Sequence, residues 1–145
     1  MIGSTPLNCG KTAFEIWAPE AAQITIETDK GSFDLFESGG GFFRREIKGS
    51  TSGDRYRVKV DNGSSFPDPA SRFQPEGVHG PSQVVDPNQY FWQCENWKGV
   101  DRESLVIYEI HVGTFTEAGT FQAAIDRLDE IVELGATALE IMPVA

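Results

Sequence analysis

A mainly β fold, an antiparallel β-sandwich followed by one β-α-β unit, is predicted by three features of this 145-residue sequence. Short segments of alternating or β-rich character recur from Ala13 to about Val60, with turn residues between them. After Ser104 the pattern changes to a continuous apolar run, a helical period and a second apolar run. Between the two lies FPDPASRFQPEGVHGPSQVVDP, Phe66 to Pro87, which holds five of the eight prolines and follows neither period.

The first half reads as the strands AFEIW, AQITIET, GSFDLF, FFRREI and RYRVKV, punctuated by Pro19, Gly31, Gly39-Gly40-Gly41 and SGD. Period two assigns Phe14, Ile16, Ile24, Ile26, Tyr56, Val58 and Val60 to the interior. Trp17, within a strand, is expected in the core as well. Residues 1–65 are therefore expected to form the sandwich domain, and 66–104 a connector packing on what precedes and follows it. In that connector each proline fixes its own φ and pushes the residue before it out of helical space, which gives a stiff but irregular strap. Gly77 and Gly80 supply its turns, and Asp68, Arg72, Glu76 and His79 are expected to satisfy its backbone and one another.

Residues 105–145 read as the β-α-β unit. LVIYEIHV is its first strand; Phe121, Ala124, Ile125, Leu128, Ile131 and Val132 mark its helix, capped by Thr120 and ended by Gly135; TALEIM is its second strand. A right-handed crossover makes the strands parallel. Such a unit leaves one sheet face and both edges uncovered, and that exposed apolar sheet is expected either to pack back on the chain or to self-associate with a second copy.

Composition narrows the function. Twelve basic against twenty-two acidic residues give a net charge of −10, with no basic stripe to follow phosphates, so nucleic acid is an unsuitable partner. No cationic start precedes an apolar core at the N-terminus, and no run approaches the ~20 apolar residues of a membrane span, so the expected setting is cytoplasmic, without a membrane. Cys9 and Cys94 form no CxxC, and His79 and His111 lie outside any metal-ligand spacing; free thiols and no metal are expected.

VIYEIHVGTFTEAGTFQAAIDRLDEIVELGATALEIMPVA resembles the first strand, first helix and second strand of the catalytic (β/α)8 barrel of the α-amylase superfamily, glycoside hydrolase family 13. GATALEIMPVA, Gly135 to Ala145, is similar to that superfamily's motif at the second barrel strand. FEIWAPEA resembles the start of the sandwich that precedes the barrel in branching and debranching enzymes, and PDPASRFQPEGVHGPSQVVDP is similar to the matching segment of malto-oligosyltrehalose trehalohydrolases. The resemblance implies an immunoglobulin-like sandwich of the early-set type followed by the incomplete start of a (β/α)8 barrel. It implies an enzyme that hydrolyses the α-1,4 bond beside the terminal trehalose of a malto-oligosyltrehalose, with α-glucan as its partner and no cofactor.

Retaining glycoside hydrolysis needs two carboxyl groups about 5 Å apart. The superfamily supplies them from its fourth and fifth barrel strands, with a further aspartate after the seventh, and this sequence stops after the second. The chain is therefore expected to be an N-terminal part that carries no catalytic residue of its own. Alternation turns Glu109 and His111 inward on the first barrel strand, and Ala138, Glu140 and Met142 inward on the second. Glu109 and Glu140 sit mid-strand, whereas barrel catalytic groups collect at strand C-termini, so both are read as structural. His111 is nearer the mouth and is a candidate sugar contact, or a structural hydrogen-bonding group. Arg72 and His79 are candidates if the strap reaches the substrate side, and otherwise dock domains. Trp92 and Trp97 are candidates for stacking on a pyranose ring, or for packing between domains. The alternatives kept open are a stand-alone α-glucan-binding sandwich and the N-terminal part of a glucan branching enzyme.

Overall fold

The computed structural model describes residues 1–144; Ala145, the last residue of the expected β-α-β unit and of its motif, lies outside the described residues. The chain divides into two compact units, Met1–Phe91 and Trp92–Ala145.

The first unit is a sandwich of two antiparallel sheets. One runs in the order β1 (Gly3–Leu7), β2 (Lys11–Trp17), β6 (Phe42–Lys48), β5 (Phe36–Glu37). The other runs β4 (Gly31–Asp34), β3 (Ile24–Thr28), β7 (Arg55–Val60), β8 (Ser65–Phe66), and β9 (Ser82–Gln83) also pairs with β7. Alternation decides what faces inward: Thr12, Phe14 and Ile16 are buried on β2, Tyr56 and Val58 on β7. They meet Ile24, Ile26, Leu35, Phe43, Ile47 and Val84 in one core, where the Phe14 and Tyr56 rings pack edge to face at 5.0 Å.

Three expectations need correction. Trp17 is exposed, because Phe14 and Ile16 face the core and period two turns their odd-numbered neighbours outward. Val60 is 37% exposed at the end of β7, where the sandwich no longer covers it. GSFDLF is not one strand: it switches sheets at Leu35, whose side chain is buried and whose N–H donates to the Ile24 carbonyl at 2.8 Å. β4 and β5 on either side of it therefore belong to opposite layers.

The proline-rich segment up to Phe91 belongs to this first unit. It is tied both to itself and to the sandwich. The Asp68 carboxylate, buried, accepts from the Tyr56 hydroxyl at 2.7 Å and from the Ala70 N–H at 2.8 Å, while the Asp68 N–H donates to Ser82 Oγ at 2.9 Å. Arg72 donates to the Ser4 carbonyl on β1, Glu76 pairs with Arg55 on β7, and Arg57 donates to the His79 carbonyl at 3.0 Å. Asp68 does accept from the strap's own backbone, at Ala70, but Arg72, Glu76 and His79 find their partners on β1 and β7 rather than in one another. Val84 closes the segment by entering the core, with its N–H on the Asp54 carbonyl at 2.9 Å.

In the second unit β10 (Ile107–Ile110) and β11 (Ala138–Ile141) are parallel, with Glu109 directly beside Glu140. Three short helices lie between them in sequence: α1 (Val112–Phe115), α2 (Phe121–Ile125) and α3 (Leu128–Glu133). Ile110, Val112, Ala124 and Ile131 form the core, with Leu139 packed against it. Thr120 caps α2 through its Oγ1, which accepts the Ala123 N–H, and Gly135, at φ 88°, ends α3. The expected single helix is interrupted at Asp126 and Arg127, where the Arg127 N–H takes the Ala124 carbonyl three residues back and aspartate is a weak helix former. The expected strand from 105 to 112 is shorter, because the His111 carbonyl already accepts the N–H groups of Thr114 and Phe115 and opens α1. Phe121, Ile125 and Val132 are exposed, since two strands give the helices room to bury only one apolar row.

Candidate functional site

The C-terminal ends of β10 and β11 open into a cavity of about 520 Å³. His111 and Gly113 enter it from the end of β10, Thr120 and Phe121 from the start of α2, and Met142 and Pro143 from beyond β11. The segment between Gly113 and Gly119 folds tightly: Gly119 sits at φ 60°, and a Cβ there would lie 3.0 Å from the Gly113 carbonyl oxygen. A buried Val112 holds that turn against the unit's core. The His111 ring is exposed, with Nδ1 at 3.3 Å from the Thr114 hydroxyl, which leaves Nε2 for a ligand.

The walls of this cavity combine one imidazole and one hydroxyl with the apolar faces of Phe121, Met142 and Pro143. Apolar walls with a few polar groups suit an uncharged, hydroxyl-bearing ligand. Among the described residues no Asp or Glu lines the cavity. Glu109 and Glu140 stand together in mid-strand, both exposed, and line no part of it. Among the described residues no three His, Cys, Asp or Glu side chains gather as metal ligands would.

The structure does not bring the sequence-predicted residues into one place. Arg72 and His79 are in the first unit, where the Arg72 guanidinium and the His79 carbonyl hold the strap on β1 and β7. Trp92 and Trp97 are exposed in the second unit and do not line the cavity with His111. Sequence reasoning placed Tyr56 inside and named Asp68 as a bonding residue but did not bring the two together with Ser82 in one buried group. Burial first, and the Asp68 charge second, push the Tyr56 phenol far above the ordinary tyrosine range. The signal for it was an aspartate held between Pro67 and Pro69, a position that favours side-chain bonding to its own backbone.

No protein-family profile matches the chain. It is 44% identical over 133 residues to a malto-oligosyltrehalose trehalohydrolase of Saccharolobus solfataricus, an alignment covering 91% of this chain and 24% of the relative. It is 39% identical to the trehalohydrolase of Deinococcus radiodurans, covering 99% of this chain and 24% of the relative. In sequence the chain is similar to the N-terminal part of the malto-oligosyltrehalose trehalohydrolases. It spans about a quarter of the length of these trehalohydrolases, and the Deinococcus alignment runs through the proline-rich strap. In fold, it superposes with TM-score 0.94 and 40% identity on a Salmonella typhimurium crystal structure provisionally described as an alpha amylase, covering 99% of this chain and 25% of that one. A group B streptococcal pullulanase in complex with maltotetraose shares the fold, with TM-score 0.75 and 23% identity over 99% of this chain and 24% of that one. A 1,4-alpha-glucan branching enzyme of Corynebacterium jeikeium is 26% identical over 94% of this chain and 21% of its own length.

Proposed function

We propose that this chain supplies the sandwich and the first β-α-β unit of a (β/α)8 glycoside hydrolase that cleaves the α-1,4 bond beside the terminal trehalose of a malto-oligosyltrehalose and releases trehalose. The observation that carries this reading is the 44% identity to a trehalohydrolase, against 26% to a branching enzyme over a similar share of the chain. The chain contributes position rather than chemistry. His111 and the strand-end cavity form one wall of a sugar site whose carboxylates come from elsewhere in the longer enzyme. The strap, tied down by Asp68 and Arg72, fixes where the sandwich ends, and the exposed Trp92 and Trp97 supply apolar surface for the rest of that enzyme. Two exposed free thiols, Cys9 and Cys94, are in keeping with a cytoplasmic enzyme of trehalose formation.

The test is product analysis on the longest product of the gene that encodes this chain, fed malto-oligosyltrehalose. Free trehalose is the expected product. Glucan chains with new branch points and no trehalose would establish the branching-enzyme reading instead.

A further inference from the structure

The proline-rich strap divides into a base and a tip that are held in different ways. The base enters the core: Ser82 and Val84 are buried, the Asp68 N–H donates to Ser82 Oγ at 2.9 Å, and the Asp68 carboxylate takes the Tyr56 hydroxyl. The Gln83 N–H donates to the Phe73 carbonyl at 2.9 Å and so draws the two ends of the tip together into a neck. Beyond that neck, residues 74–81 are braced by their own bonds. The Gly77 N–H donates to the Gln74 carbonyl at 3.1 Å, the Gly80 N–H to the Gly77 carbonyl at 2.9 Å, and the Gln74 side-chain amide to the Val78 carbonyl at 3.0 Å. The turns pack so closely that a Cβ on Gly80 would lie 2.6 Å from the Glu76 Cβ. A short loop with joined ends and internal bonds moves as one body.

What fastens this body to the sandwich is charged and open to water. Arg55 pairs with Glu76, their side chains 46% and 51% exposed, and Arg57 donates to the His79 carbonyl at 3.0 Å. Val78 is 72% exposed and adds nothing to the hold. Glu76 and Pro81 form one wall of a cavity of about 380 Å³, whose other walls carry Glu27, Asp29, Arg55 and Arg57. We infer that residues 74–81 form a flap that swings off β7 about the Phe73–Gln83 neck while the base of the strap stays in the core, with ionic strength setting how often it opens. Salt weakens an exposed ion pair such as Arg55–Glu76 and acts much less on the buried base. Opening removes one wall of the cavity and frees both guanidiniums beside Glu27 and Asp29, a surface that carries charges of both signs.

The experiment is limited proteolysis by thermolysin at about 0.01 M and about 1 M sodium chloride, between which the screening length falls from about 30 Å to about 3 Å. The cut between Gly77 and Val78 is followed by mass spectrometry, and each rate is divided by that of a free peptide of the same sequence spanning residues 70–84. Wild type should be cut about threefold faster at the higher salt, while the bond before Val84 stays intact. Glu76→Gln should show the fast rate at both salts. Arg57→Ala, which loses a bond to a carbonyl rather than to a charge, should raise both rates and keep their ratio. A wild-type rate that does not change with salt overturns the inference, as does a salt ratio in Glu76→Gln equal to that of wild type. So does cleavage before Val84 at the same rate as before Val78, because base and tip would then leave together.

Discussion

Replacing Asp68 by alanine should release the proline-rich strap and strongly destabilise the first unit. The Asp68 carboxylate is 3% exposed and accepts from two donors, the Tyr56 hydroxyl and the Ala70 N–H. Tyr56 is itself 2% exposed and packs on Phe14 in the centre of the core. Alanine leaves both donors without this acceptor, and each buried unsatisfied group costs roughly 1–3 kcal/mol. Ala70 is only half-buried and water can reach it, so a loss of about 3 kcal/mol is expected for the pair. Asp68→Asn retains one acceptor oxygen and should lose about half as much. With a urea m-value of roughly 1.5 kcal/mol/M, the alanine variant should unfold at a midpoint about 2 M lower. Urea unfolding monitored by the core aromatics measures that shift, and limited proteolysis at Arg72 and Phe73 reports on the strap. A midpoint shift under about 0.5 M with unchanged cleavage would refute the reasoning, because the carboxylate would then hold nothing.

Arg72→Ala removes the charge-assisted bond to the Ser4 carbonyl and should loosen residues 66–87 by about 1.5–3 kcal/mol while the sandwich stays folded, read by faster chymotryptic cleavage at Phe73. The Tyr56 phenol is raised by burial and then by Asp68, so the folded state holds its proton more tightly than the unfolded chain. Its contribution is complete below the ordinary tyrosine value of about 10 and declines as pH rises above it, so urea midpoints should fall from pH 9 to 11, and fall less in Tyr56→Phe. The exposed Val106, Ile107 and Ile141 on and beside the two-stranded sheet should drive the isolated chain to self-associate, and deletion of residues 105–145 should leave a monomeric folded sandwich by light scattering. A monomeric intact chain at the same concentration would remove that expectation.

What was legible in the sequence followed from period. Phe14, Ile16, Ile24, Ile26, Tyr56 and Val58 alternate over strands long enough for the pleat to fix their side, and all six are buried. The same rule, applied strictly, turns Trp17 outward; its place within a strand suggested the core, and alternation prevailed. Leu35 was hidden because a strand that changes sheets keeps its apolar residues while breaking its pairing. Val84 was hidden because its burial depends on backbone bonds to Gly53 and Asp54, far from any local pattern. The capped start and glycine end of the helical region were readable from Thr120 and Gly135, but the interruption at Asp126 was not, since apolar spacing continues across it. Of the candidate site, the position of His111 at a strand end was legible, and it lines the strand-end cavity. The partners of Arg72 and His79 were not, because Ser4 and Arg57 are remote in sequence and meet them only once the strap crosses the sandwich.

Trehalose release from malto-oligosyltrehalose, measured side by side for the purified 145-residue chain and for the longest product of its gene, tests the central claim most directly. The account predicts trehalose from the longer protein and none from the chain, since among the described residues no Asp or Glu lines its strand-end cavity. Trehalose release that tracks the concentration of the 145-residue chain through repeated purification would contradict it.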